Sequence, residues 1–319
     1  MSAGELLMMF HFYFTGNPEG LVFDVSRRPF STALWRPFER YLGALGVKLR
    51  LGACVERLER RGESWWITTS NEAANATHPT TGHDGTDNAG AFDADAIVLA
   101  TTVSGLQQLV DASPDLHAPA WRQSVASLQL TNPFVVWRLW LNGPTRAGRA
   151  PFVGTTGVGL LDNISLYHLF EDESRHWSEK TGGSVVELHA YAVPHDAAEA
   201  DIRADLLQAL HVLYPETAAL DVLEERYLIR QDCPAFAPGS FASRPQVQTP
   251  WDDVVLAGDF VKLPIPSALM ERATAAGFLA ANTLLARDGV RPEPILSVPP
   301  RGLLSRLPLS NRVASTQPQ

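Results

Sequence analysis

Residues 254–281 hold the densest set of groups able to do chemistry. Val254, Val255, Leu256 and Ala257 read as a buried strand that ends in Gly258 and Asp259. Gly258 lacks a Cβ, so a ligand can meet the backbone there. The Asp259 carboxylate can accept hydrogen bonds from sugar-like hydroxyls. A turn with Pro264 and Pro266 follows, and Pro266 and Ser267 stand where a helix over about 267–286 begins. The free N–H groups of that first turn carry partial positive charge, which favours a ligand that gains negative charge. Ala273, Ala276, Gly277 and Ala280 form a small-residue face on which the helix can pack closely. Strand, Gly-Asp and helix also occur together as plain α/β packing.

Other reactive side chains have plainer accounts. His168 and His189 fall at alternating positions of predicted strands, where a satisfied structural histidine is the simpler reading. Trp65, Trp66, Trp137 and Trp140 offer aromatic surface, and core packing explains them equally well. Glu171, Asp172 and Glu173 read as a solvated cap before a helix, and Glu271 is favourable in a first helical turn through the dipole alone. Cys54 and Cys233 are far apart and outside any C-x-x-C, so they read as buried free thiols, not as a disulfide or zinc site. Nothing resembles a Ser-His-Asp or Cys-His nucleophile.

The elements that must position these residues come in two styles. The chain opens on an apolar stretch, 6–14, with no helix cap before it, which reads as a buried element. A turn cluster at 15–20 and a helix ending near Gly46 follow. Three short strands are predicted over 47–51, 54–60 and 64–70, then an exposed loop over 71–91 containing His78 and His83, then a buried strand over 92–101. The middle differs: residues 134–141, 163–170, 185–193 and 223–230 alternate apolar with polar, as antiparallel strands with one covered face do. A helix over 197–213 carries an apolar stripe of Ile202, Leu206, Leu210 and Leu213. The first style returns at 254. The expected fold is therefore α/β (α+β), with segments 1–102 and 251–319 forming one unit interrupted by a second, antiparallel one over 103–250. The tail after Gly289 reads as irregular.

Composition narrows the function classes. The 319 residues are 45% hydrophobic and 19% charged, with a formal net charge of −9. The charged share is below the ~25% of ordinary soluble domains, which suggests a large interior or an apolar cavity. The acidic balance excludes a phosphate-tracking nucleic-acid surface. It also disfavours electrostatic docking on anionic lipid and leaves hydrophobic docking open. No apolar run reaches the ~20 residues of a spanning helix, and no signal-peptide pattern is present, so a cytoplasmic protein in peripheral contact with a membrane is the expectation. No residue pattern specifies an oligomeric state.

Ala257-Gly258-Asp259, then 266–271 and 277–281, resemble the C-terminal flavin motif of the phytoene desaturase and flavin amine oxidase superfamily. Residues 12–20, 187–192 and 234–239, with Arg244 and Pro245, are most similar to isorenieratene-synthase-type β-carotene desaturase/methylases. The resemblance covers nearly all of the chain and implies an FAD-dependent oxidoreductase. It places Gly258 and Asp259 near the FAD pyrophosphate and ribityl chain. Helix N–H groups at Ala268, Leu269 and Met270 would lie near the isoalloxazine, where the helix dipole would favour the reduced anion. It puts the backbone of Val55 against the adenine, and Ala100, Thr101 and Thr102 at the end of a strand beneath the cofactor. The antiparallel unit would wall an apolar tunnel for a carotenoid-like polyene.

Members of that superfamily open with strand, G-x-G-x-x-G and helix, which this chain lacks. Gly154, Gly157 and Gly159 have the wrong spacing and read as a loop. The expectation is an incomplete, Rossmann-like FAD/NAD(P)-binding domain, truncated ahead of Met1. Desaturation of a carotenoid or other apolar isoprenoid is the first reading of function. A related flavin oxidoreductase acting on another lipid or an amine is the second, and a non-catalytic fragment unable to hold FAD the third.

Overall fold

The computed structural model of the chain describes residues 1–16, 19, 24–71 and 90–298; half of the 15–20 turn, most of the 71–91 loop with its two histidines, and the end of the tail lie outside these. In chain order the elements are α1 (Ala3–Phe10), α2 (Arg36–Ala44), β1 (Ala53–Arg61), β2 (Ser64–Asn71), β3 (Gly90–Ala94), β4 (Ile97–Leu99), α3 (Val103–Ala112) and α4 (Pro119–Ala126). Then come β5 (Phe134–Leu141), β6 (Phe152–Gly154), β7 (Asn163–Leu166), α5 (Asp172–Thr181), β8 (Ser184–Ala190), α6 (Glu199–Leu213) and β9 (Val222–Arg230). The short α7 (Ser240–Ser243), β10 (Val254–Leu256) and α8 (Leu269–Arg287) complete the described chain.

Three sheets form. β1, β2 and β3 make an antiparallel meander. β4 and β10 pair in parallel, with Ile97 opposite Val254 and Leu99 opposite Leu256. Their sequence separation is possible only because everything between them leaves and returns. The intervening chain builds a five-stranded antiparallel sheet in the order β6-β7-β8-β5-β9. β5 shows why: Val135, Trp137, Leu139 and Leu141 are buried while the residues between them are half-buried, the two-residue period of a sheet covered more heavily on one face. The α6 stripe of Ile202, Leu206, Ala209 and Leu210 covers that face.

Two separate cores result among the described residues. One joins β2, β4, β10 and α8 through Trp65, Ile97, Leu99, Val254, Leu256, Ala276 and Ala280. The other joins β5, β7, β8 and α6. Each fully buried aliphatic side chain contributes roughly 1.5–3 kcal/mol. α3 and α4 lie within the 103–250 stretch, yet Leu106, Val110, Trp121 and Val125 bury into the first core, with β4 and β10.

Several local expectations change. The 6–14 stretch is α1 and a wider turn at His11–Thr15, and Ser2 does cap it, its hydroxyl accepting from the Glu5 N–H at 3.2 Å. Its apolar side chains are exposed (Leu7 by 68%), and Glu5 is the residue of α1 that is buried. Apolar composition had implied burial, but the ion pairs described below decide which face turns inward. Residues 47–51 form no strand: they link α2 to β1 as an extended connection that joins none of the sheets. The stretch 92–101 breaks at Asp95 and Ala96 into β3 and β4, which join different sheets. β7 ends at Leu166 and turns sharply through Tyr167–Leu169. Both cysteines are free and exposed, not buried: Cys54 lies on β1, whose one buried residue is Leu58, and Cys233 lies beyond the end of β9. Gly154 ends β6, and residues 155–159, with Gly157 and Gly159, lie in the loop between β6 and β7.

Candidate functional site

The parallel pairing of β4 and β10 brings two of the expected segments together. Ala257 donates its N–H to Leu99 O at 3.0 Å, so Gly258 and Asp259 emerge beside Ala100 and Thr101 at the same carboxyl edge. Ligands of open α/β sheets collect at that edge. Gly258 adopts φ +144°, and a Cβ on it would meet the Phe260 ring at 2.7 Å, so only glycine fits. Burial raises the pKa of the half-buried Asp259, while the nearby Arg272 and backbone N–H groups oppose the rise.

α8 starts at Leu269, with Ala268 as its cap position and no side chain capping its N–H groups. Leu269 takes φ +48°, a strained value for a branched side chain, and both Leu269 and Met270 point largely into solvent. Ser267 is 3% exposed, and its hydroxyl has no partner. Uncapped N–H groups, an orphaned buried hydroxyl and a backbone cradle without a Cβ fit a large polar ligand with electron-rich edges, such as a flavin. Val55 lies on β1 next to a register shift and is 39% exposed. Ala276 and Ala280 are buried as the small-residue face required, but a Cβ on Gly277 would meet nothing within 4 Å.

A buried ion cluster, invisible to local pattern, holds this region. Glu5 of α1 accepts from Arg244 and, at 2.9 Å, from Arg272 of α8. Arg272 also donates to Ser267 O at 2.9 Å and to Asp259 O at 3.5 Å. Both guanidiniums lie over the Phe236 ring, at 4.8 and 4.4 Å. Burial lowers the Arg244 pKa, and Glu5 opposes that shift. One arginine thus fixes the carbonyls on either side of the Pro264–Pro266 turn and ties the start of α8 to α1. Beside it, a cavity of about 710 Å³ is lined by Leu7, Met8, Leu263, Pro264, Ile265 and Leu279, among others. Its wall is largely apolar.

The antiparallel sheet carries a second cluster on the face turned away from α6. Arg138 of β5 donates to the buried Glu187 of β8 at 2.7 Å. His189 Nε2 lies 2.8 Å from the other Glu187 oxygen, and His189 Nδ1 lies 2.9 Å from the Tyr191 hydroxyl. Asn163 Nδ2 donates to that hydroxyl at 2.7 Å. Burial alone would raise the Glu187 carboxyl, but His189 and Arg138 outweigh it and hold it below the usual range. Arg138 stacks on Tyr167 at 3.7 Å, and burial pushes the Tyr167 phenol up to about 12. This face is therefore charged where the resemblance implied an apolar wall. Glu187, His189 and Tyr191 recur every second residue, a signal that could have drawn them together. Their partners come from other strands.

The remaining candidates are structural. Val185 donates its N–H to His168 Nδ1 at 3.2 Å, and burial lowers this histidine's pKa. Trp65 and Trp137 are core residues, while Trp66 and Trp140 are half-buried. Glu171 caps α5, accepting from Ser174 N, but is itself buried.

Comparison with known proteins adds to this geometry. A family model for flavin-containing amine oxidoreductases matches residues 9–285. The carotenoid phi-ring synthase of Streptomyces griseus is 43% identical over 303 residues, covering 95% of this chain and 55% of that protein. The carotenoid phi-ring synthase of Chlorobaculum tepidum is 29% identical over 406 residues, covering 96% of this chain and 63% of that protein. The chain thus spans between half and two-thirds of the length of these relatives. A solved triple mutant of putrescine oxidase, redesigned in its cofactor binding, superimposes with a TM-score of 0.54 at 12% identity over 78% of this chain and 52% of that one. That likeness shows the fold: a partial Rossmann-like layer interleaved with an antiparallel sheet.

Proposed function

This chain belongs to the flavin-containing amine oxidoreductase family, and from that premise we propose that it is an FAD-dependent oxidoreductase that desaturates a carotenoid ring. The relatives named as carotenoid phi-ring synthases support the substrate class, as does the apolar cavity beside Pro264 and Ile265. The observation that carries the reading is the meeting of Gly258 and Asp259 with Ala100 and Thr101 next to the uncapped start of α8. Asp259 would hold ribityl hydroxyls, the backbone at Gly258 would pass close to the pyrophosphate, and the N–H groups at Ala268, Leu269 and Met270 would face the isoalloxazine. Val55 would touch the adenine from the meander. The flavin, when bound, supplies the oxidant. The chain's residues orient it, and Arg272 holds the turn that carries them.

In this reading residues 1–102 and 251–319 form the cofactor unit, helped by the helices at 103–126, and the sheet of the 103–250 insertion meets the substrate. The exposed apolar side of α1 supports contact with a lipid surface, where a carotenoid would be found. No helix among the described residues is long and apolar enough to cross a membrane.

The test is the visible absorption of the purified chain after incubation with excess FAD and desalting, followed by a β-ring carotenoid turnover assay. Stoichiometric flavin bands and an aromatised product are expected. A colourless protein would overturn the claim that this polypeptide holds the cofactor itself.

A further inference from the structure

We propose that Tyr191, His189 and Glu187 form a proton relay on the substrate-facing sheet, with Tyr191 taking the proton that ring desaturation releases. The inference rests on the carotenoid-desaturase reading above. Removing two hydrogens from adjacent carbons splits into a hydride, which a bound oxidised flavin would accept, and a proton, which needs a base. The electron pair of the second C–H bond becomes the new double bond.

The geometry assigns each role. Glu187 is buried and ionised, so the His189 nitrogen facing it at 2.8 Å must be the protonated Nε2. That leaves Nδ1 as an acceptor, 2.9 Å from the Tyr191 hydroxyl. Asn163 donates to the same hydroxyl at 2.7 Å, so the phenolic hydrogen is directed at Nδ1 and one oxygen lone pair stays free. The Tyr191 residue is 53% exposed, so a substrate can reach it, whereas the His189 and Glu187 side chains are 20% and 6% exposed. As the Tyr191 oxygen takes a proton from carbon, its own proton passes to Nδ1, and Glu187 stabilises the imidazolium. The same logic serves hydrolytic triads, with carbon acid in place of carbonyl.

Arg138 from β5 fixes the far Glu187 oxygen at 2.7 Å. Asp162 ahead of β7 accepts the Tyr191 N–H at 2.6 Å, and Tyr167 stacks under Arg138. Burial keeps the Tyr191 phenol protonated, with Asp162 and Glu187 adding to the effect and Asn163 opposing it, as a hydroxyl that relays a proton requires. Tyr191 is the residue that touches substrate; His189, Glu187 and Arg138 act through it.

The experiment has two arms. In the FAD-reconstituted chain, Tyr191→Phe and His189→Gln should each lower kcat for ring desaturation about 100-fold or more, with KM and flavin retention near wild type. In the cofactor-free chain, 15N NMR of labelled histidine should show His189 as the Nε2–H tautomer, with its Nδ1 resonance moved by Tyr191→Phe. An Nδ1–H tautomer overturns the relay whatever the activity. Active wild type with undiminished variants overturns the relay alone and leaves the reading standing. Wild type that binds flavin yet converts no β-ring carotenoid overturns the reading, and with it the role of Tyr191 in turnover.

Discussion

Glu5 and Arg272 lie 267 positions apart, yet their side chains bond at 2.9 Å with only 3% and 6% exposure. The bond joins the first helix to the last at the turn where the cofactor motif bends into α8. Arg244 shares the same carboxylate, so one buried anion serves two buried cations. Replacing Glu5 by Gln leaves both guanidiniums uncompensated, and the loss of stability should be about 3–5 kcal/mol. Urea denaturation followed by tryptophan fluorescence measures it. A loss under about 1 kcal/mol would mean that water reaches the cluster and that it does not anchor α8.

Two glycines of the cofactor motif should respond to alanine in opposite senses. Gly258→Ala meets both a left-handed φ and the Phe260 ring at 2.7 Å, so stability should drop by about 1–3 kcal/mol from the backbone conformation alone. Gly277 has ordinary helical φ and open space at its Cβ position. Alanine there should stabilise α8 by about 0.5–1 kcal/mol. Thermal melts of the two variants check the pair, and a destabilised Gly277→Ala would show that the small-residue face is packed after all.

Periodicity made the framework legible. Strand alternation over β5 and the four-residue stripe of α6 are local signals, and both elements fall where the spacing put them. Residues 47–51 show the complementary limit: Val47, Leu49 and Leu51 alternate well, but a strand exists only as a member of a sheet, and this segment joins none of the three. The split at Asp95 likewise depends on which sheet each half joins. The Gly258–Asp259 edge was legible because glycine and carboxylate sit in one short segment. The Glu5–Arg244–Arg272 cluster was not, since an ion pair between distant segments leaves no periodic trace. Without it α1 could be read only from its apolar content, which pointed its wrong face inward.

The pair of Arg149 and Glu216 should give the antiparallel unit a measurable acid sensitivity. Arg149 donates twice to Glu216, at 2.9 and 2.8 Å, and lowers its pKa from the ordinary 4.5 to about 2. The folded value is the lower one, so the pair's contribution is whole above pH 4.5, shrinks as the pH falls towards 2 and is absent below that. Glu216→Gln lacks this dependence. The difference in urea midpoint between wild type and variant should therefore narrow steadily from pH 5 to pH 2. A constant difference would place the effect of the variant in packing instead of charge.

The exposed side of α1 and of the wider turn that continues it through His11–Thr15 should bind lipid by hydrophobic partition. Leu7, Phe10 and Phe14 recur at helical spacing and are 68%, 53% and 44% exposed, and the Phe10 and Phe14 rings sit 4.7 Å apart. A net charge of −9 gives no attraction to anionic headgroups. Each large apolar side chain that enters the interface is worth roughly 1.5–3 kcal/mol, so three suffice for weak, reversible attachment. Co-sedimentation with zwitterionic phosphatidylcholine vesicles should succeed and survive 0.5 M salt, beyond the range at which surface charge is screened. Replacing Leu7 and Phe10 by Ser removes roughly two-thirds of that apolar contribution and should release the protein. Binding that needs anionic lipid and is lost in salt would instead assign the contact to basic residues elsewhere, and α1 would not be the lipid-facing surface.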